Sequence, residues 1–309
     1  MTIAATLSSA KSCWLPYIPG VEDSKEKARK LQEELIQNNF GGANWAHGTV
    51  KGDLIGAIAA FNTWQASSKY ERERKKFANR NALDNNALVD IKGLRTQFKD
   101  ALKVAGLLTN AEEGQPKDGP TNNNMDALLT SCCLVAGLYP NIATLVRPSR
   151  ERRIFSGRLI TKDGDSCRAS SSSFQGQRIK NASESGKDAY AVYHSKHRTV
   201  GVASSENQRA VQNTFLSDVN FVSRFAILLF GGEIEVNKNY LLVDDWLKFK
   251  VIDDKETVGE KVAGKANAVL IQELRSELDN VLLKRIVSEH SEDECERVVE
   301  VVRKLLSEE

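Results

Sequence analysis

Several things are scarce or missing in this chain, and each absence narrows what it can be. No stretch approaches the roughly 18 consecutive apolar residues that a membrane-crossing helix needs, so no membrane partner is expected. The opening residues MTIAATLSSAKSCWLPYIPG have no basic stretch followed by an apolar core, so no secretory signal is expected. The five cysteines, Cys13, Cys132, Cys133, Cys167 and Cys295, form no CxxC pair and have no histidine at ligand spacing. Free, mostly buried thiols in a reducing compartment are the expectation. The four histidines, His47, His194, His197 and His290, lack a plausible catalytic partner pattern. His194 and His197 stand three apart, a metal spacing on a helix, but AVYHSKHRT reads as strand and then loop, so no metal is expected.

A phosphate loop is also missing. Such a loop needs GxxxxGK[ST], in which backbone amides cradle phosphates and the hydroxyl binds magnesium. Gly186-Lys187 is followed by Asp188 and Gly264-Lys265 by Ala266, so neither pair offers that hydroxyl. Asp293-Glu294-Cys295-Glu296 is an acidic helix start with no strand before it, not a metal-holding carboxylate motif. No cofactor and no catalytic residue are assigned to this chain. Nucleotide hydrolysis is not expected of it in isolation.

What is present is a soluble-type composition with an uneven charge. The chain has 309 residues, 41% hydrophobic and 27% charged, with a net charge of +2. That length allows two domains with ample core. From Arg147 to Lys180 there are nine basic and three acidic residues, a local net of +6. From Glu289 to Glu309 there are three basic and eight acidic residues, a local net of −5. This polarity suits a polyanion at one surface and a basic partner, or only solvent, at the other.

The texture changes near Pro148. Before it the pattern is helical. A charged helix is expected over Glu22 to Glu34. Leu54, Ile58, Phe61 and Trp64 fall at helical spacing behind Asp53 as N-cap, and a charged run follows from Lys69 to Arg80. A helix from about Asn86 to Ala105 carries Leu88, Ile91, Leu94, Phe98 and Leu102 on its apolar face, with Gly106 as C-cap. Residues 110–124 read as loop, and Met125 to Leu138 as an apolar helix stopped by Tyr139-Pro140.

After Pro148, short apolar segments alternate with turn residues. Strands are expected at Ile154 to Ile160, Ala189 to His194, Phe225 to Phe230, Glu233 to Val236, Tyr240 to Val243 and Trp246 to Val251. The stretch Ser166 to Gly176 reads as a flexible Ser-rich segment. Phe221 to Val236 reads as strand, Gly231-Gly232 turn, strand, and Asp244-Asp245 as a tight turn. Two helices close the chain. Leu270, Leu274, Leu278, Val281 and Leu282 mark the first. The second carries a Ser291/Glu294 capping box and the stripe Cys295, Val298, Val299, Val302, Leu305, Leu306.

Six short segments, in order, resemble the DExH-box (DEAH/RHA-type) RNA helicases. Thr2 to Ser8 is similar to their T-I-A-A-x-L-S. Lys51-Gly52-Asp53-Leu54 with Ala60 to Trp64 is similar to S-D-H-L and A-[FY]-x-x-W. Ala136 to Asn141 is similar to A-G-L-Y-[PD]-N, and Ala191 to Lys196 to L-V-Y-H-E-K. Phe225 to Gly232 is similar to [FY]-[AS]-[IL]-L-L-F-G-G, and Trp246-Leu247 stands where the family has G-W. Each is short; their shared order carries the resemblance. There are departures. Ile179 to Ser185 stands where the family has I-H-P-S-S, Arg224 replaces a proline, and residues 252–265 look like an insertion.

The resemblance implies an α+β multidomain chain. Residues 1–146 would be a helical, ratchet-like helicase-associated domain, and 147–309 a small OB-like β-barrel with C-terminal helices. It implies the RNA-binding C-terminal part of an ATP-dependent RNA helicase, cytoplasmic or nuclear. ATP and Mg²⁺ would belong to RecA-like motor domains that this chain lacks. Single-stranded RNA would be the partner, together with upstream RecA-like domains or a regulatory protein. OB-folds hold single strands in a basic groove with aromatic platforms. Arg178, Lys180, Ser183, Ser185, Tyr193, His194, Lys196, His197 and Arg198 are the barrel's contact residues on this view. Lys92, Arg95, Lys99 and Lys103 make a basic stripe on the helix from Asn86. Competing readings stay open: a solvated loop and helix face, a protein-interaction module docking a regulatory partner through the barrel, or an enzyme of unrecognised type.

Overall fold

The computed structural model describes residues 1–18, 20–22, 24–40, 52–107, 123–145, 157–185, 189–200, 212–237, 240–251, 258–287 and 292–307. The expected loop over 110–124 lies almost wholly outside them. The first part is helical: α1 (Thr2–Ser8), α2 (Lys25–Phe40), α3 (Asp53–Ser67), α4 (Glu71–Arg80), α5 (Asn85–Val104) and α6 (Asn123–Leu138). Helix α5 starts where Asp84 accepts from the Asn86 and Ala87 amides at 2.8 and 3.2 Å. It ends at Gly106, whose φ of +71° is the left-handed geometry a C-terminal glycine supplies. Asp53 is not an N-cap. It is the first residue of α3, behind Gly52, and its carboxylate turns away from its own helix.

The strands then form a seven-stranded mixed sheet from β1 (Ile142–Leu145), β2 (Leu159–Thr161), β3 (Ser166–Ala169), β4 (Tyr190–Val192), β5 (Ser195–Val200), β6 (Gln212–Ser217) and β7 (Asn220–Val222). Their order is β5-β6-β3-β2-β1-β4-β7. All ladders are antiparallel except β3 with β6. Helix α7 (Gly176–Ser185) lies between β3 and β4. The Ser-rich segment is therefore not a flexible loop at its start. Cys167 is fully buried and pairs with both Leu159 and Thr214. A four-residue strand with one inward side chain carries almost no periodic signal.

The expected strand at Phe225 to Phe230 is a helix, α8 (Arg224–Phe230). Ser223 caps it, its hydroxyl accepting from the Ala226 amide at 3.0 Å. Ala226, Ile227, Leu228 and Leu229 are all buried, so the segment shows neither a two-residue nor a helical period, and sequence cannot separate the two. The glycines that follow do not turn a hairpin. They join α8 to β8 (Ile234–Val236), which pairs with β9 (Tyr240–Val243), and β9 with β10 (Leu247–Lys250), in a separate antiparallel sheet. The expected turn between β9 and β10 is there, with Asp244 and Asp245 at φ +45° and +63°. Aspartate tolerates this region better than most residues. Leu247 and Phe249 face inward, Lys248 and Lys250 outward.

Helices α9 (Val258–Val287) and α10 (Glu292–Ser307) complete the chain, so α9 begins inside the apparent insertion. The buried face of α9 runs through Ala268, Ile271, Leu274 and Leu278. Leu270 and Leu282, expected on that stripe, are 58% and 50% exposed. On α10, Val298, Val302, Leu305 and Leu306 pack inward. Ser291 and the Glu294 and Cys295 side chains lie outside the described residues.

The described residues gather into three cores. One joins α1, α3, α4 and α5 around Phe61, Trp64, Leu88 and Ile91. A second lies within the seven-stranded sheet, where Ala143, Leu159, Cys167, Ala191 and Leu216 meet Ile179 of α7. The third packs α6, α8, α9, α10 and the small sheet against the other side of the first strands, through Ile142, Val192 and Val222. Ile142 and Ala143, and likewise Val192 and Ala191, thus point to different cores, as alternation along a strand requires. Gly232 sits in the third junction, where a Cβ would overlap the Tyr139 hydroxyl and the Asp244 carboxylate.

Two substitutions test these placements by urea midpoint. Ser223→Ala should cost about 1 kcal/mol, the usual loss of a helix N-cap. Gly232→Ala should cost more, because the neighbours are the Tyr139–Asp244 hydrogen bond and not a movable chain end. A neutral Ser223→Ala would mean that α8 does not depend on its cap.

Candidate nucleic-acid interface

Most of the sequence-predicted contact residues lie on β5, α7 and α5, and the structure treats them unequally. Tyr193 is 6% exposed and belongs to the core inside the sheet, so its ring is not an open platform. Ser183 is 1% exposed and faces inward on α7. Lys180 is exposed on the same helix. The side chains of Arg178 and Ser185 lie outside the described residues.

On β5 the cations already have anions. Lys196 Nζ lies 2.6 Å from Asp163 and 3.0 Å from Asp165, and Arg198 Nη2 lies 2.8 Å from Asp165. These pairs tie the β2–β3 turn to β5. The Arg198 and Lys196 hydrogen bonds hold the Asp165 carboxyl below its ordinary value, and its partner Lys196 is pushed up, mainly by Asp163. Arg198 is still 60% exposed in its side chain, whereas Lys196 is only 21% exposed. His197 Nε2 shares hydrogen bonds with Ser195 and Ser217. Among the described residues no group of three His, Cys, Asp or Glu comes together as a metal site.

The helix stripe divides as well. Lys92 is exposed on α5. Arg95 lies 4.7 Å over the Phe61 ring and donates to Gln65 at 3.4 Å; burial lowers its pKa. Lys99 and Lys103 each have an interaction partner.

His194 leads to a feature that sequence reading missed. It borders a cleft of about 970 Å³ between the helical layer and the sheet. One wall comes from residues 9–16 and α2, another from α3 and the loop before α7. Trp14 is fixed there by backbone pairing: Leu15 donates to Ala82 at 2.9 Å and Asp84 donates to Cys13 at 2.9 Å. Gln32 of α2 donates to both Leu15 and Ala82 at 2.7 and 2.9 Å. Arg29 donates to the Ser173 carbonyl at 2.8 Å and stacks 4.1 Å over Phe174. Phe174 in turn meets Trp14 edge-on at 5.0 Å.

The floor is acidic but occupied. Asp53 accepts from the Phe174 amide at 2.8 Å and the Val219 amide at 2.9 Å. Asp218, at φ +55°, faces His194 at 3.6 Å. Burial pushes Asp53 up to about 6, partly offset by its hydrogen bonds to Ser173, Phe174 and Val219. Burial raises Asp218 too, against the pull of His194. The Asp53 hydrogen bonds join residues 121 and 166 positions apart, and no local pattern announces them.

Over nearly its whole length the chain is similar to a region of proteins named as ATP-dependent helicases. It is 25% identical over 304 residues to the ATP-dependent DNA/RNA helicase DHX36 of Mus musculus, covering 95% of this chain and 25% of that protein. Against DHX36 of Homo sapiens the identity is again 25%, over 305 residues. The ATP-dependent RNA helicase DHX29 of Mus musculus is 21% identical over 311 residues, covering 98% of this chain and 19% of that protein. The chain thus spans about a quarter or less of the length of these relatives. No family model matches it. No helix among the described residues is long and apolar enough to cross a membrane.

The Asp53 anchor makes a pH prediction. Its folded value of about 6 lies above the ordinary carboxylate value, so the folded state keeps a proton that the unfolded state has released. The stabilisation is fully present below about pH 4 and is lost as pH rises through the folded value. Asp53→Asn should therefore flatten the fall in stability between roughly pH 4 and pH 7. Urea midpoints across that range check it, and a variant with the parent's slope would remove Asp53 as the titrating group.

Proposed function

We propose that this chain is an RNA-holding accessory region of a DExH-box ATP-dependent RNA helicase. The observation that carries the reading is its similarity, along 95% of its length, to proteins named as RNA helicases. In this reading the seven strands form a small OB-type barrel. Strand β4 runs into β5 through Tyr193 and His194, and β6 into β7 through Asp218 and Val219. Taking each run as one bent strand, the ladders pass β1-β2-β3-β6/β7-β5/β4 and return to β1, with α7 between the third and fourth strands. Residues 1–146 are then the helicase-associated helical domain and 147–309 the barrel with its terminal helices, β1 being the strand that the first part lends to the second.

The barrel's exposed cations, Lys180 and Arg198 with Arg178, hold the phosphate backbone of a single strand. Lys92 on α5 extends the track. Such contacts carry no base code, so sequence preference is low. ATP and Mg²⁺ belong to RecA-like domains outside this chain, and the chain alone turns over no ATP. A location in the cytoplasm or nucleus follows from the same reading. A second reading, docking of a regulatory protein through the barrel, draws support from the pairing of Lys196 and Arg198 with Asp163 and Asp165, which spends part of the basic charge internally.

Salt separates the two. Anisotropy of a labelled single-stranded oligoribonucleotide should show affinity falling steeply with salt as counterions are released. Replacing Arg178, Lys180 and Arg198 by Ala should weaken binding alike for all sequences. It should also reduce the salt slope by about one for each phosphate that is no longer neutralised. Lys196 is left in place because its ion pairs hold the β2–β3 turn. An unchanged slope would move the phosphate track to the α5 stripe. Salt-independent or absent RNA binding would favour the protein partner. ATP turnover above background, abolished by a substitution in this chain, would overturn the accessory role.

A further inference from the structure

Phosphate contact does not account for the cleft beside His194. Three cations, Lys11, Lys25 and Arg29, and three carboxylates, Glu26, Asp53 and Asp218, border it. A balanced cleft is a poor trap for a phosphate alone. Two of its carboxylates are engaged, Asp53 by backbone amides and Asp218 by His194. Lys11 and Lys25 are exposed at its margin. Two partly buried aromatic rings, Trp14 and Phe174, line the same cleft.

Arg29 lies over Phe174, so Trp14 is the larger aromatic surface bordering the space. Its backbone pairs with Leu83, Gln32 holds the next residue, Leu15, and Arg29 stacks on its aromatic neighbour. The ring is therefore positioned before any ligand arrives, which lowers the ordering cost of binding. A flat, neutral ring fits such a wall, and exposed cations at the margin of the same cleft fit the charges that such a ring carries in a strand.

We propose that this cleft takes one unpaired nucleobase of a single strand, stacked on Trp14, with Lys11 and Lys25 beside the flanking phosphates. The proposal rests on the RNA-holding reading above and adds to it a site that grips a base, where the barrel cations grip only phosphate. Every base has a π-face, so the site tolerates sequence while requiring that a base be present. An aromatic side chain of a peptide has the same shape, but it brings no pair of flanking anions for Lys11 and Lys25.

The test uses the full chain with two oligoribonucleotides that differ at one internal position, 2-aminopurine in one and an abasic residue in the other. The base-bearing strand should bind roughly tenfold more tightly, within the range for one stacked base. Its 2-aminopurine fluorescence should be quenched on binding. Trp14→Ala should remove the quench and bring both strands to the abasic affinity, while Trp14→Tyr should keep most of the difference. The difference between strands in the unsubstituted chain stands even if Trp14→Ala fails to fold. Equal affinity for the two strands, with the salt slope intact, would overturn the base site and leave the phosphate reading standing. Loss of salt-dependent binding to both strands would overturn both. A difference between strands that survives in folded Trp14→Ala would place the base elsewhere and sink this site.

Discussion

The arrangement depends on how the N-terminus of α3 is fastened to the strands. Asp53 donates its amide to the Val219 carbonyl at 3.0 Å and takes the Val219 amide on its carboxylate at 2.9 Å. Leu54 donates to the Asn220 side chain at 3.0 Å, and Gly52 lies so close that any Cβ there would overlap that same side chain. Val219 and Asn220 sit at the bend between β6 and β7. A buried carboxylate is costly unless its hydrogen bonds are met, and here backbone amides from two separate segments meet them. Helix α3 then carries Leu54 and Ile55 into one core and Phe61 and Trp64 into another. One fastening thus sets the helical layer against the sheet and fixes the wall of the cleft.

Electrostatics separates the basic residues by role. Lys196 serves the β2–β3 turn and Arg95 the face of Phe61, and each is held by neighbours within the chain. Arg29 belongs with them, since its guanidinium links α2 to Phe174 and pairs with Glu33 on its own helix. Exposed surface ion pairs contribute little stability, so the Arg198–Asp165 pair can open for a polyanion at small cost. Lys180, Lys92, Lys11 and Lys25 are exposed. A run of like charge in sequence is therefore a poor guide to charge available at a surface. The excess between Arg147 and Lys180 includes Lys162, whose amine lies 3.7 Å from Asp244.

The helices with long, periodic faces could be read directly. Leu88 and Ile91 are buried on α5, and Gly106 ends it as a left-handed glycine should. The β9–β10 turn was legible because two aspartates in a row favour positive φ. Helix α8 was not legible as a helix, since burial on every side erases the period. The outward turn of Leu270 on α9 was hidden for a related reason: that helix has apolar residues on more than one face, so spacing alone does not choose the inner one. The cleft was invisible because it is assembled from residues 14, 29, 53, 174 and 218. Their proximity is a consequence of topology, and only His194 among its margin belonged to a local cluster.

The segment around Gly231 and Gly232 shows what such a motif does when it is not a turn. Arg275 of α9 donates to the Leu228 carbonyl at 3.1 Å and the Gly231 carbonyl at 2.5 Å, filling acceptors left at the end of α8. Asp244 accepts from the Glu233 amide at 2.9 Å and from the Tyr139 hydroxyl, so the end of α6 and the β9–β10 turn meet over the second glycine. Burial and the Asp244 carboxylate both raise the Tyr139 pKa, which keeps the phenol protonated as the donor this bond requires. Residues without side chains stand here because four elements converge on them. A segment that resembles a helicase family in its wording thus has a structural reason for that wording, separate from any contact with RNA. Similarity at this segment speaks for the fold, and a nucleic-acid role has to rest instead on the exposed cations and the aromatic cleft beside the start of α3.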